Sequence, residues 1–259
     1  MPSPRAREQV VARLRAAGCV FAEEEAGHLL AAAADDDALE AMVARRADGA
    51  PLEHVLGHAF FAGVRLDIAD GVFVPRHRTE LLTMTARALI RNGATVLDLC
   101  CGTGALGIVV VRGVPGARLV AADIDPVAVD CARRNLAGVT GEVFAGDLFE
   151  PLPADLRGRV DILLANVPYV PTAEIAFLPE EFRVHEARAA LDGGDDGLDV
   201  FRRVAAEAPG WLAPNGALLC EAGAAQLDAA HKILRAAGLH PATVTDEETE
   251  TSIVVGRLR

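Results

Sequence analysis

Short apolar segments that look like buried strands alternate with amphipathic segments that look like helices from residue 95 onwards. Such alternation predicts a mostly parallel sheet with helices packed on both of its faces. The last two strands have no helix between them, so we expect them to form an antiparallel hairpin. The pattern therefore predicts a doubly wound, Rossmann-like α/β fold with a seven-stranded sheet. The predicted strands are Thr95–Leu99, Arg118–Asp123, Glu142–Ala145, Val160–Ala165, Gly216–Glu221, Ala242–Thr245 and Ser252–Arg257.

The chain before this pattern has a different character. Residues 1–56 are rich in alanine, apolar side chains recur at helical spacing from Val10 to Ala17, and Gly18 ends the first helix. We expect three helices forming a small substrate-recognition domain, although its acidic runs are also typical of solvated helix faces. Residues 57–75 predict a linker with a β-hairpin, and residues 76–259 would form the α/β domain.

Composition limits the possible functions of the 259-residue chain. It is 51% hydrophobic with a formal net charge of −12, which suits a sizeable core and disfavours a broad phosphate-binding surface. We therefore expect no direct binding to nucleic acid. Five cysteines without a C-x-x-C pattern predict free thiols, no metal site and a reducing, cytoplasmic location. No apolar run reaches the roughly 18 residues that span a bilayer, so no membrane association is expected.

Polar side chains gather where the predicted strands end. Asp98, Asp123, Asp147 and Asn166 all stand at or just after such an end. Because parallel sheets of this class bind ligands at the carboxyl ends of their strands, these side chains predict one common site.

A four-residue segment at one of these strand ends suggests the chemistry of the site. Its asparagine presents an amide at the rim of the sheet, and an aromatic ring follows three residues later. Together they could bind and cover a planar amide or amine, although an ordinary strand-end turn would have the same pattern. The segment is Asn166-Val167-Pro168-Tyr169.

A glycine-rich loop predicts a nucleotide-containing ligand. The sequence Gly102-Thr103-Gly104-Ala105-Leu106-Gly107 spells G-x-G-x-x-G, and Asp123 follows about 20 residues later, as in dinucleotide-binding enzymes. Asp98 stands just before the loop, where a carboxylate would repel a pyrophosphate but would suit a cationic ligand. S-adenosylmethionine is therefore favoured over NAD, and Asp123 fits ribose hydroxyls in either case. Asp147 could accept from an adenine amine or could simply cap a turn.

Several segments together resemble one family. They are the helical N-terminal region, the hairpin linker, Val74-Pro75-Arg76 with Thr79-Glu80, the glycine loop, Asn166–Tyr169, Ala190–Gly194 and Asp196–Leu198. Nearly the whole chain is thereby similar to the protein-glutamine N5-methyltransferases that modify the Gly-Gly-Gln motif of peptide-chain release factors. The chain departs from the family pattern at Val167, where a proline is usual, at Cys100 and Cys101, and at Ala187.

The resemblance implies a class I S-adenosylmethionine-dependent methyltransferase that is monomeric, needs no metal, acts on a release factor and yields S-adenosylhomocysteine. It assigns Asn166 Oδ1 and the Val167 carbonyl as acceptors for the glutamine amide, which Tyr169 would cover. Another protein target, or an amino group of adenine or guanine in nucleic acid, remains an alternative. The catalytic residues would be Asn166, Val167, Pro168 and Tyr169. The cofactor would contact Asp98, Cys100, Gly102, Thr103, Gly104, Ala105, Asp123, Ile124, Asp147, Leu148, Asn166, Arg76 and Glu80.

Overall fold

A seven-stranded sheet forms the larger part of the molecule in the computed structural model, which describes residues 4–259. A separate two-stranded hairpin precedes it in the chain. The hairpin strands are β1 (His58–Phe61) and β2 (Val64–Asp67). The sheet strands are β3 (Thr95–Leu99), β4 (Arg118–Asp123), β5 (Gly141–Ala145), β6 (Val160–Ala165), β7 (Leu212–Ala222), β8 (His240–Asp246) and β9 (Thr251–Arg257).

The order of the strands across the large sheet is β5-β4-β3-β6-β7-β9-β8. The five strands from β3 to β7 are parallel, and within residues 4–259 β9 runs in the direction opposite to the other six strands of this sheet. The predicted doubly wound α/β fold with a terminal antiparallel hairpin is confirmed. The direction of winding reverses between β3 and β6, which is where such sheets bind their ligands.

Helices cover the sheet and build the N-terminal region. The N-terminal helices are α1 (Pro4–Ala16), α2 (Ala22–Ala32), α3 (Asp36–Ala47) and α4 (Leu52–Leu56). The later helices are α5 (Glu80–Arg87), α6 (Ala105–Val111), α7 (Pro126–Asn135), α8 (Glu180–His185), α9 (Asp199–Trp211) and α10 (Leu227–Ala236). In the part of the chain that the structure describes, no helix is both long and apolar enough to cross a membrane.

The sheet is buried on both faces, because alternate residues of its strands enter two different cores. Leu97 and Leu99 of β3 pack on the face covered by α9 and α10. Val96 packs on the opposite face with α5 and α6. This two-sided burial explains why the parallel strands are almost continuously apolar rather than alternating. Asp98 has the same parity as Val96 and therefore points towards α6.

The N-terminal helices pack around Leu14 and Leu29, which are fully buried. An ion pair between Arg46 and Glu25, with Nε 2.6 Å from Oε2, links α3 to α2. The structure adds α4 at the end of residues 1–56, where the sequence predicted three helices. Pro51 precedes this short helix and Gly57 ends it in a left-handed conformation, so both of its ends carry ordinary helix signals. Residues 1–3 of the predicted recognition domain lie outside the described residues.

Contacts join these helices to the rest of the chain. His54 Nε2 lies 2.8 Å from the carbonyl oxygen of Val72, and Arg45 donates from its Nη2 to Asp70 Oδ1 at 2.7 Å. Arg46 Nη1 also lies 3.7 Å from Glu181 Oε1 in α8. The N-terminal helices therefore lie beside α8, which follows the Asn166–Tyr169 segment in the chain.

Candidate active site

The glycine loop connects β3 to α6 in a tight left-handed path. Gly102 and Gly104 have φ angles of +55° and +77°, which glycine adopts without the usual steric cost. Gly107 serves packing instead, because a Cβ there would lie 2.5 Å from Leu119 Cδ1. The glycines of the G-x-G-x-x-G pattern thus suit the local geometry, Gly102 and Gly104 through their φ angles and Gly107 through close packing.

Asp98 lies beneath this loop and is fully buried. Its Oδ2 accepts a hydrogen bond from the Gly107 N–H at 2.9 Å, whereas its Oδ1 has no partner. Burial raises the pKa of this carboxyl to about 8, with the Gly107 hydrogen bond acting in the opposite direction. Asp98 therefore supports the loop from below, and its direct contact with a ligand ammonium group stays a prediction.

Asp123 joins the end of β4 to the glycine loop. Its Oδ2 accepts from the Gly102 N–H at 2.8 Å and its Oδ1 accepts from the Asp125 N–H at 2.9 Å. Desolvation raises the pKa of Asp123, and these backbone hydrogen bonds oppose the rise. Each carboxylate oxygen keeps a second lone pair, so ribose hydroxyls can still be accepted. Ile124 beside it is 63% exposed, an apolar side chain at the position predicted to contact the cofactor.

Asp147 carries a contact that the sequence did not predict. Its Oδ2 accepts from Arg203 Nη2 of α9 at 2.7 Å. Its neighbour Leu148 is buried with a φ of +49°, an uncommon conformation for a branched side chain. The structure therefore holds this strand-end loop in a fixed path, while its predicted contact with adenine stays a prediction.

The remaining predicted cofactor residues divide into two groups. Cys100, Thr103 and Ala105 belong to the loop region, with Cys100 at a φ of +54°. Burial raises the pKa of Cys100, which opposes a thiolate role. Arg76 instead pairs with the buried carboxylate of Glu186.

Glu80 also lies away from the loop. Its Oε1 accepts from the Ala62 N–H of the hairpin turn at 3.2 Å and lies 2.9 Å from His77 Nδ1. It lines a groove with Val109 and Arg112, at the end of α6 opposite the glycine loop. These contacts tie Glu80 to the hairpin, and its contact with a cofactor stays a prediction.

The Asn166–Tyr169 segment leaves β6 beside the loop. Asn166 Oδ1 is buried and has no hydrogen-bond partner. Val167 is 2% exposed, and its backbone opposes the rise that burial causes in the pKa of the Cys220 thiol. The proline that is usual in the family at this position would have no N–H.

The loop of residues 192–198, called the second loop, packs against the turn formed by Asn166–Tyr169. Gly193 donates its N–H to the Val170 carbonyl at 2.9 Å, and Gln226 Nε2 donates to the Tyr169 carbonyl at 2.9 Å. A Cβ on Gly197, whose φ is +74°, would lie 2.2 Å from the Tyr169 carbonyl oxygen. The glycines of the second loop therefore let two backbone segments meet without side chains between them.

A hydrogen-bonded cluster around Glu221 fixes Tyr169 and was missed by the sequence reasoning. Glu221 stands at the end of β7 and is 5% exposed. Its carboxylate accepts from Tyr169 Oη at 3.0 Å, Thr79 Oγ1 at 2.8 Å and Arg78 Nε at 3.2 Å. The signal was available, because Glu221 is another acidic residue at a predicted strand end.

Unpartnered buried polar atoms mark where ligands would bind. Five buried side-chain atoms lack a partner within the described residues, and three of them lie at this edge of the sheet. Buried polar atoms are normally paired, so such a group suggests partners supplied from outside the chain. Asp98 Oδ1 and Thr103 Oγ1 lie on the loop side, and Asn166 Oδ1 lies on the turn side. The residues present thus fit both a nucleotide-like methyl donor and a planar nitrogen acceptor.

Comparison with known proteins identifies the family. The profile of the methyltransferase small domain matches residues 58–197. A release factor glutamine methyltransferase of Cereibacter sphaeroides is 36% identical over 281 aligned residues, covering 100% of this chain and 99% of that protein. The chain belongs to the release factor glutamine methyltransferase family.

One further relative and one solved structure are also similar to this chain. A 4-amino-L-phenylalanine/4-methylamino-L-phenylalanine methyltransferase of Streptomyces pristinaespiralis is 38% identical, covering 76% of this chain and 69% of that protein. A T. thermophilus 16S rRNA N2 G1207 methyltransferase, solved with AdoMet and guanosine, has a TM-score of 0.55 at 20% identity. It covers 78% of this chain and 50% of that chain, and this likeness shows the fold alone.

Proposed function

We propose that this protein transfers a methyl group from S-adenosylmethionine to the side-chain nitrogen of a protein glutamine, the one in the Gly-Gly-Gln motif of a peptide-chain release factor. The observation that carries the proposal is the buried, unpartnered Oδ1 of Asn166 beside the glycine loop. Membership of the release factor glutamine methyltransferase family supports the same activity. We further propose a monomeric, cytoplasmic enzyme whose N-terminal helices contact the release factor.

The site acts on the acceptor by orientation rather than by a strong base. An amide nitrogen is a weak nucleophile, because its lone pair is delocalised into the carbonyl group. Asn166 Oδ1 and the Val167 carbonyl would each accept one amide N–H and so hold the nitrogen in one orientation. Tyr169, fixed by Glu221 and Arg78, would cover the side chain and exclude water. Such positioning alone can account for a large part of a rate enhancement.

The donor site is built from the strand ends of β3, β4 and β5. S-adenosylmethionine supplies an electrophilic methyl group on a sulfonium ion and leaves as S-adenosylhomocysteine, while the methylated amide nitrogen releases one proton to solvent. Asp123 would hold the ribose hydroxyls, Ile124 would pack against the adenine, and the loop from Gly102 to Gly104 would hold the methionine part. Asp147 and Leu148 would border the adenine on its other side.

Replacing Asp123 with alanine is expected to weaken the binding of S-adenosylhomocysteine by about 1–3 kcal/mol, because buried polar partners lose their acceptor. Isothermal titration calorimetry measures this change. Asp125→Ala is the matched control, since Asp125 caps α7 through the Val127 N–H at 2.8 Å without a predicted ligand contact. Equal dissociation constants for wild type and Asp123→Ala would exclude the ribose assignment.

The decisive experiment is incubation of the full chain with S-adenosylmethionine and a purified release factor, followed by mass spectrometry of the Gly-Gly-Gln peptide. We expect one added methyl group on the motif glutamine and none on a release factor in which that glutamine is replaced. Methylation elsewhere would keep the enzyme class but change the target. A protein that binds the donor and leaves the release factor unmodified would contradict the proposal.

A second candidate is methylation of a small aromatic amine. It is favoured by the 38% identity to the Streptomyces pristinaespiralis enzyme, whose substrates are 4-amino-L-phenylalanine and its monomethyl form. The same assay with free 4-amino-L-phenylalanine separates the two candidates. The alternative of methylation of nucleic acid is supported only by a shared fold. The same assay with RNA or DNA as the acceptor would test it directly.

Replacing Val167 with proline is expected to leave turnover on a release factor equal or higher, because it restores the family motif and stiffens the turn. The substitution also removes the Val167 N–H, which lies next to the Cys220 thiol. Steady-state rates of methyl transfer measure the outcome, with Cys220→Ala as the control that removes the thiol and leaves the Val167 backbone unchanged. A large loss in Val167→Pro alone would indicate a substrate geometry different from that of the family.

A further inference from the structure

Three side-chain donors from two distant segments converge on Glu221. Arg78 and Thr79 come from the turn before α5, whereas Tyr169 ends the Asn166–Tyr169 segment. Arg78 Nη2 also donates to Tyr169 Oη at 2.7 Å, so Arg78, Tyr169 and Glu221 form a closed ring of hydrogen bonds. The phenol oxygen both accepts and donates within this ring, which fixes the direction of its O–H bond.

The ring of hydrogen bonds lies where β7 ends, and one side of it is open to solvent. Glu221 is almost fully buried, yet half of the Arg78 side chain is exposed to solvent. Tyr169 is itself only partly buried, and it stands three residues after Asn166. Burial first, and the neighbouring Glu221 charge second, raise the pKa of Tyr169 to about 12, so the phenol keeps its proton at neutral pH.

We propose that Glu221 is a positioning residue that acts through Tyr169 to shape the pocket for the methyl-accepting nitrogen. Its carboxylate holds the Tyr169 ring at one orientation through the hydrogen bonds from Tyr169 Oη and Arg78 Nε. The inference rests on the proposed function, because it assumes that the acceptor binds between Asn166 and Tyr169. Loss of the carboxylate should therefore weaken acceptor binding and leave the donor site unchanged.

The kinetic test compares Glu221→Gln with Tyr169→Phe, the double variant, and Thr79→Val as the matched control. Thr79→Val removes a hydrogen bond from the same carboxylate without involving Tyr169. We expect Glu221→Gln to raise KM for the acceptor about tenfold, the effect of losing one hydrogen bond to a charged group. In the Tyr169→Phe background the same change should have an effect below about threefold, since both residues act through one contact. The donor dissociation constant and the KM of Thr79→Val should stay within about twofold of wild type.

A spectroscopic test needs no substrate, because Tyr169 is the sole tyrosine of the chain. With 13C-labelled tyrosine, the ring carbon bearing the hydroxyl should keep a constant chemical shift in wild type between pH 7 and about 10, the usual tyrosine pKa. In Glu221→Gln it should begin to titrate at lower pH than in wild type, since the carboxylate no longer opposes ionisation.

Two results would overturn the inference. The first is a Glu221→Gln variant in which both the acceptor KM and the tyrosine titration equal those of wild type. The second is a double variant in which the effects of Glu221→Gln and Tyr169→Phe on the acceptor KM multiply in full. If wild type modifies no release factor, the proposed function fails on its own, and the tyrosine titration still decides whether Glu221 controls Tyr169.

Discussion

Replacing Asn166 with alanine is expected to lower kcat on a release factor by about 10²–10³-fold, the effect of removing one preorganised polar group from an active site. The Asn166 side chain is the amide proposed to bind the acceptor, and its Oδ1 is buried without a partner in the described part of the chain. Without that acceptor, the substrate amide loses one of the two contacts that would fix its nitrogen. Single-turnover methyl transfer measures the loss directly.

The same substitution should not destabilise the protein. An unpartnered buried polar atom costs free energy in the folded state, so its removal should leave the free energy of unfolding within about 1 kcal/mol of wild type or raise it. Loss of activity without loss of stability is the behaviour of a residue that serves function. Urea unfolding and calorimetry with S-adenosylhomocysteine would show an intact fold and an unchanged donor site.

Two controls sharpen this prediction. Asn166→Asp keeps an acceptor oxygen and should retain more activity than Asn166→Ala. Asn92→Ala, at an exposed asparagine before the amino end of β3 and so away from the carboxyl ends of the strands, should behave as wild type. Near-normal transfer by Asn166→Ala would show that the nitrogen is held by another group.

Local sequence signals were enough for the sheet and for the meeting of Asp98 and Asp123 with the glycine loop. Strand and helix periodicity predicted all seven strands, and acidic residues at the strand ends predicted where Asp98 and Asp123 would meet the glycine loop. These features are local, since each needs only a strand, its last residue and the next turn. The rule that ligands bind at the carboxyl ends of parallel strands then brought them together.

Contacts between distant side chains could not be predicted in the same way. Tyr169 and Arg78 lie 91 positions apart, and nothing in either segment specifies the other as its partner. Glu80 Oε1 accepts from the Ala62 N–H of the hairpin, a contact that its motif does not predict, and its contact with the cofactor stays a prediction. The pairing of Asp147 with Arg203 could not be predicted either, because it depends on how α9 packs against the sheet.

Replacing Gly197 with alanine is expected to cost about 3 kcal/mol of unfolding free energy and to lower methyl transfer about 100-fold. The stability cost has two parts. A left-handed φ of +74° disfavours any side chain, and a Cβ would lie 2.2 Å from the Tyr169 carbonyl and 2.4 Å from Gln226 Nε2. The Tyr169 carbonyl cannot move away from such a Cβ unless the turn that carries Asn166 moves with it. A shift of about 1 Å there is enough for the predicted loss of activity.

Gly138→Ala is the matched control for Gly197→Ala. Gly138 has a similar φ of +89°, but a Cβ there would meet no atom within 4 Å. It should show only the strain of the left-handed conformation, about 1 kcal/mol, with full activity per folded molecule. The difference between the two variants isolates the backbone contact between the second loop and the turn. If Gly197→Ala were merely less stable, and its folded fraction transferred methyl groups at the wild-type rate, the loop would stabilise the fold without positioning the acceptor.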